Sequence, residues 1–145
     1  MYCRIFLAYD GTQIGQRALL KSREIEQWPD AQFKLAAVIF ADSESSSRGI
    51  EYLPAFHLAR ENRKKHQLIL NSGVSDLLSR GFRTSGLLLI GDTVSQIATH
   101  AKEMQSDLIV VGHGSKKNWI RRWWSRETPK SLVEAVHCSV LVVGL

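Results

Sequence analysis

The sequence predicts an α/β fold built on a parallel sheet, because short apolar runs alternate with longer segments of helical periodicity. Residues 33–40 in particular are almost continuously apolar, which is typical of a strand that helices cover on both faces. The chain has 145 residues, of which 44% are hydrophobic and 23% charged, and this suits a single core. We therefore expect one domain that spans residues 1–145.

Each element has its own signal in the sequence. The Asp10-Gly11-Thr12 turn ends the first strand, and Pro29-Asp30 ends the first helix. A polar, serine-rich connection over residues 41–49 follows the second strand. The predicted strands cover residues 3–9, 33–40, 83–90, 107–111 and 139–143. The predicted helices cover residues 14–28, 54–78 and 94–104, and a last helix ends near His137. Gly73 is a candidate helix break within 54–78.

Several protein classes are disfavoured. The longest apolar stretches are far shorter than the roughly 20 residues that cross a bilayer, so we expect no membrane segment. The first residues lack the order of regions that marks a secretory signal, and we expect a cytoplasmic protein. Cys3 and Cys138 lack Cys-x-x-Cys spacing, so we expect buried, reduced thiols rather than a zinc or redox site.

The candidate site follows from the predicted sheet. Ligands of parallel sheets bind beyond the carboxyl ends of the strands, near the topological switch point. The Asp10 turn, the loop after Val38 and the segment that opens at Gly112 all lie at that edge. The Asp10 carboxylate is placed either to accept hydrogen bonds from a ligand or to cap the following helix. Glycines at positions 112 and 114 allow backbone N–H groups to approach an anion.

In these features the sequence resembles the universal stress protein family over essentially the whole chain. The resemblance is carried by residues 5–12, the strand up to Val38, the Gly91-Asp92 turn, and the runs SDLIVVG at 106–112 and HCSVLVV at 137–143. It implies a Rossmann-like, adenine nucleotide alpha hydrolase-like sheet of five parallel strands in the order 3-2-1-4-5, with helices on both faces. It also implies a small cytoplasmic stress-response regulator that forms homodimers.

The resemblance assigns roles to two sets of residues. The candidate nucleotide-binding residues are Ala8, Asp10, Thr12, Val38, Gly112, Gly114, Ser115, Ser125 and Thr128. The candidate dimer interface is the short, uncharged edge strand with Val140, Leu141, Val142 and Val143. The ligand that these roles imply is ATP with magnesium, although the family also contains members that bind no nucleotide.

The chain departs from the pattern of the ATP-binding members, which is Gly-x2-Gly-x9-Gly-[Ser/Thr]. Counted from Gly112, the later positions hold Ser115, Ser125 and Arg126. Counted from Gly114, they hold Lys117, Glu127 and Thr128. Neither register is intact, so we expect weak ATP binding or none, unless cations replace the lost backbone contacts. Those cations are Lys116, Lys117, Arg121, Arg122 and Arg126.

The run that contains these cations and a second basic cluster in the long helix have less specific interpretations. The run 116–126 contains three of the four tryptophans, and it suits packing against the domain, a protein interface or, least favoured, single-stranded nucleic acid. The cluster over residues 60–66 of the long helix, which includes His66, is expected to form a solvated face.

No catalytic constellation is visible, since the sequence lacks a nucleophile with a base, a carboxylate pair or metal-ligand spacing. His113 is the one histidine that falls in the candidate site. We therefore expect no catalytic and no metal-binding residues, and a regulatory protein that acts through an unidentified protein partner and a nucleotide. The alternatives are an ATP-gated switch with slow hydrolysis, and a basic nucleic-acid-binding module.

Overall fold

A computed structural model describes residues 1–39, 53–113 and 132–144 of the chain. The described part contains one five-stranded sheet with the order β3-β2-β1-β4-β5, and all its pairs are parallel. The strands are β1 Arg4–Tyr9, β2 Gln32–Ile39, β3 Arg83–Ile90, β4 Leu108–His113 and β5 Ser139–Gly144. The helices are α1 Gln13–Leu20, α2 Leu53–Ser79, α3 Thr93–Met104 and α4 Leu132–Ala135. The predicted fold class and strand order are confirmed.

The sheet is covered on both faces, as its apolar strands predict. In β1, Ile5, Leu7 and Tyr9 point to the side of α1 and α2, while Phe6 and Ala8 point to the side of α3 and α4. This alternation follows from the two-residue period of a strand. Because β1 lies between β2 and β4, these five side chains are fully buried.

The first helix is shorter than the sequence predicts. The periodicity indicated a helix over 14–28, but α1 ends at Leu20 and only the 3-10 turn Ile25–Gln27 follows. Arg80, just after α2, donates from Nη1 to the carbonyl oxygen of Leu20 at 2.9 Å and satisfies the end of α1. The chain can then turn and bury Ile25 completely, a side chain that the periodicity had counted into the helix.

The long helix α2 runs through Gly73 without a break. A Cβ at Gly73 would collide with the side-chain amide of Gln16 on α1. The glycine therefore serves the close approach of two helices, which the local pattern could not distinguish from a helix break.

The prediction of buried thiols is wrong for Cys3, which is exposed and lies at the amino edge of the sheet, just before β1. Cys138 is half-buried, and burial, with a further contribution from the charge of Asp107, raises the pKa of its thiol. Within the described ranges, no helix combines the length and apolar character that a bilayer crossing requires.

Candidate functional site

The candidate site lies where the chain leaves β1 and β4 at the carboxyl edge of the sheet. These strands are neighbours, with Ala8 opposite Val111, yet the chain passes from β1 to β2 on the other side. This reversal makes the gap between β1 and β4 the topological switch point, where open parallel sheets bind their ligands. Asp10 follows β1 directly, and Gly112 is the second-to-last residue of β4, opposite Val143 of β5.

The turn after β1 is organised by one oxygen of Asp10. Asp10 Oδ1 accepts hydrogen bonds from the Thr12 backbone N–H at 3.0 Å and from the Thr12 hydroxyl at 2.6 Å. Thr12 Oγ1 in turn accepts from the Gly15 N–H at 3.0 Å and caps α1. The cap is therefore Thr12, and Asp10 only orients it. Among the described residues, Asp10 Oδ2 accepts no hydrogen bond.

Two glycines give the Asp10 side chain its place. Gly11 has a φ of +84°, a conformation that is costly for residues with a Cβ. At Gly15, in the first turn of α1, an added Cβ would collide with Asp10 Oδ1. The sequence interpretation did not single out Gly15, although a glycine five residues after a strand-terminal aspartate was the available signal.

A histidine from α2 reaches the same turn. His66 Nδ1 lies 3.0 Å from the carbonyl oxygen of Gly11, and the side chain is half-buried. The prediction of a solvated face holds for Arg60, Lys64 and Lys65, which are exposed, but it is wrong for His66. The missed signal is spacing, because His66 lies four residues before the buried Leu70 and so shares its face of the helix.

Below the turn, a buried hydrogen-bonded group joins β1, α1 and α2. Gln16 Nε2 donates to the Tyr9 hydroxyl oxygen at 3.0 Å and to the carbonyl oxygen of Ile69 at 2.7 Å. Burial raises the pKa of Tyr9 to about 12, the hydrogen bond from Gln16 opposes this shift, and the charge of Asp10 adds to it. Tyr9 is therefore a neutral, structural phenol at physiological pH.

Other candidate residues lie near the site with different surroundings. Ala8 and Val38 are 0% and 3% exposed and pack in the core on the α3 side, so only their backbone groups are available to a ligand. A Cβ at Gly112 would lie 2.7 Å from Leu19 Cβ and 3.2 Å from Leu19 Cα. Close packing of β4 on α1 therefore explains this glycine without a ligand.

The remaining predicted positions fall into two groups. Gly114, Ser115, Ser125, Thr128 and the basic tryptophan run 116–126 lie outside the described residues. The candidate interface strand β5 is at the sheet edge, where Val142 is 41% exposed and Val143 is buried. In the part of the chain that the structure describes, no three His, Cys, Asp or Glu side chains converge to hold a metal ion.

Comparison with protein families gives one clear result. The model of the universal stress protein family matches residues 1–144. Comparison with curated proteins finds no match.

Solved structures of similar fold cover nearly the whole chain. A universal stress protein family member from Burkholderia pseudomallei is 22% identical, with a TM-score of 0.68 over 97% of this chain and 95% of its own. An Arabidopsis thaliana family member with AMP bound is 16% identical, with a TM-score of 0.62 over 98% and 91%. The Archaeoglobus fulgidus universal stress protein in complex with dAMP is 16% identical, with a TM-score of 0.56 over 98% and 98%. At these identities the likeness establishes the fold.

Proposed function

Because the chain belongs to the universal stress protein family, we propose that it is a cytoplasmic, single-domain regulatory protein that binds an adenine nucleotide at the Asp10 turn. The observation that carries the proposal is the state of the Asp10 carboxylate at the switch point. Its Oδ1 holds the turn, whereas its Oδ2 has no partner among the described residues. Two relatives of similar fold contain AMP and dAMP, ligands of the proposed class.

The charge of Asp10 determines which end of the nucleotide it can meet. A carboxylate repels phosphate but accepts hydrogen bonds from the adenine amino group or from a ribose hydroxyl. We therefore assign Asp10 Oδ2 to the nucleoside, with Ala8 and Val38 contributing only backbone groups. Thr12 supports the site indirectly, because its hydroxyl already donates to Asp10 and accepts from Gly15.

The phosphates belong at the other side of the switch point, after Gly112. There the glycine pattern of ATP-binding members is interrupted, so triphosphate binding depends on the lysine and arginine side chains of residues 116–126. We propose weak binding, with Kd values well above micromolar for ATP with magnesium. We also propose that the protein regulates by binding and has no efficient hydrolase activity.

Calorimetric titration with AMP, and separately with ATP and magnesium, tests this function. The variant Asp10→Asn keeps an Oδ1 acceptor for Thr12 and replaces Oδ2 by a donor, so we expect AMP affinity to fall about tenfold. The matched control is Asp92→Asn, since Asp92 Oδ2 caps α3 through Ser95 N–H at 3.0 Å. Equal affinity in Asp10→Asn and wild type would contradict the site, and a sub-micromolar Kd for ATP would contradict the weak binding.

We further propose that β5 forms the interface of a homodimer. Its outer edge has no neighbour in the described sheet, and strands with free backbone groups invite pairing. A two-fold axis satisfies both copies with one patch of Val140, Leu141, Val142 and Val143.

Light scattering tests the dimer. Val142 is an exposed hydrophobic side chain of this strand, so Val142→Lys should give monomers with an unchanged circular dichroism spectrum. Val142→Pro tests the backbone pairing more harshly, because proline removes a ladder donor. A wild-type chain that is monomeric at high micromolar concentration would refute the interface, and an unidentified protein partner would then be the remaining candidate for this edge.

A further inference from the structure

Helix α2 and Arg80, which follows it, contact the segment that carries the site through three hydrogen bonds between described residues. At the end of α1, Arg80 donates to the Leu20 carbonyl oxygen. In the middle, Gln16 donates to the Ile69 carbonyl oxygen. At the carboxyl edge of the sheet, His66 Nδ1 meets the carbonyl oxygen of Gly11 at 3.0 Å. The third contact is the one that touches the candidate nucleotide site.

The direction of this hydrogen bond is fixed by chemistry. A carbonyl oxygen only accepts, so His66 Nδ1 carries the hydrogen and donates it. The ring also fills the space above the turn, since a Cβ at Gly11 would lie 2.9 Å from His66 Nδ1. His66 therefore holds the backbone carbonyl of the one residue in the turn that has a positive φ and no side chain of its own.

The turn needs such support because its other hydrogen bonds are local. Asp10 Oδ1 binds only Thr12, two residues away, and Gly11 between them has the largest conformational freedom of any residue type. These contacts fix the shape of the loop but do not anchor it to another helix. The bond from His66 crosses 55 residues of sequence and supplies that anchor.

We infer that His66 is a positioning residue, which holds the Gly11 carbonyl through Nδ1–H and thereby presents the Asp10 carboxylate to the ligand. The ligand part of this inference rests on the proposed function, whereas the positioning of the turn does not. It predicts that donor capacity at position 66, rather than the size of the side chain, determines the order of the turn.

Hydrogen exchange of the nucleotide-free protein tests the positioning directly. His66→Leu keeps a similar bulk and loses the donor, whereas His66→Asn is smaller but places an amide N–H where Nδ1 lies. We expect the Thr12 and Gly15 amides to exchange about five- to tenfold faster in His66→Leu and near the wild-type rate in His66→Asn. The control is His100→Leu on α3, whose Nδ1 pairs with Glu103 Oε2 at 3.3 Å.

Two exchange results would overturn the inference: unchanged Thr12 and Gly15 rates in His66→Leu, or equal acceleration in His66→Asn. Titration with AMP adds the ligand readout, with affinity expected to fall about fivefold in His66→Leu and to recover in His66→Asn. If AMP fails to bind the wild-type chain, the proposed function is wrong, and the exchange rates still decide the role of His66.

Discussion

Two aspartates lie at opposite ends of β1, and they use their oxygens differently. Asp107 precedes β4 at the amino edge of the sheet, where its Oδ2 accepts from Cys3 N–H at 2.8 Å and its Oδ1 from Arg4 N–H at 3.0 Å. Its own N–H donates to the Arg4 carbonyl oxygen at 2.9 Å. Asp10, at the carboxyl edge, uses one oxygen for Thr12, while the other has no partner among the described residues.

The difference separates a structural carboxylate from an available one. Asp107 joins two strands that are about a hundred residues apart in sequence, and both its oxygens are occupied. Asp10 organises only its own turn, so its loss costs the fold less but removes a polar group from the switch point. The two edges of the sheet each carry an aspartate. What distinguishes them is whether both carboxylate oxygens accept hydrogen bonds from the protein.

The largest expected effect comes from removing each carboxylate in turn. Asp107→Ala leaves two backbone N–H groups without their charged acceptor and should lower the free energy of unfolding by about 2–3 kcal/mol. Asp10→Ala removes only the support of a helix cap and should cost about 1 kcal/mol. Urea unfolding followed by circular dichroism measures both. Equal losses would break the distinction between the two aspartates.

A smaller effect is expected from Gly15→Ala, alone and combined with Asp10→Ala. The added Cβ collides with Asp10 Oδ1 and should cost about 1 kcal/mol in the wild-type background. Without the carboxylate, the higher helix propensity of alanine should make the same change neutral or stabilising. A double-mutant cycle measures this coupling. Additive energies would mean that Asp10 does not lie against α1.

Contacts between residues that are distant in sequence set the limit on how much of the fold could be predicted from the sequence. The strands were predictable because each contains a short run of mainly apolar residues between turn signals, and their order followed from the family resemblance. The length of α1 was not predictable from the apolar pattern. Ile25 fits that pattern both as part of a longer helix and as a buried residue of the 3-10 turn in which it lies. The carbonyl oxygen at the observed end of α1 accepts a hydrogen bond from Arg80, which is 60 residues away in sequence and so invisible to a local pattern.

The site was predictable only in part, for a similar reason. Asp10 was found because strand-terminal position is a local property. His66 was missed because it adjoins Lys64 and Lys65, although its spacing from Leu70 places it on the buried face of α2. Its contact with the turn after β1 is visible only in the packing of the two elements. Gly112 had a signal typical of anion binding, yet contact with Leu19 explains it, since sequence cannot distinguish a glycine that serves a ligand from one that serves a neighbouring helix.

The smallest expected effect concerns Tyr9, which lies between the core and Asp10. Its pKa is raised from 10.0 to about 12, chiefly by burial, with a smaller contribution from the Asp10 charge. Because the folded state holds the phenolic proton more tightly than the unfolded state, this contribution to stability is complete below about pH 10 and is lost as the pH rises towards 12. Tyr9→Phe should therefore reduce the fall of stability in that range.

Asp10→Asn should lower the Tyr9 pKa slightly, because it removes a neighbouring negative charge, whereas Asp107→Asn at the far end of β1 should leave it unchanged. Tyrosinate absorbance, with Tyr9→Phe as the reference, measures the shift, and an identical Tyr9 pKa in both asparagine variants would show that the Asp10 carboxylate does not face the phenol.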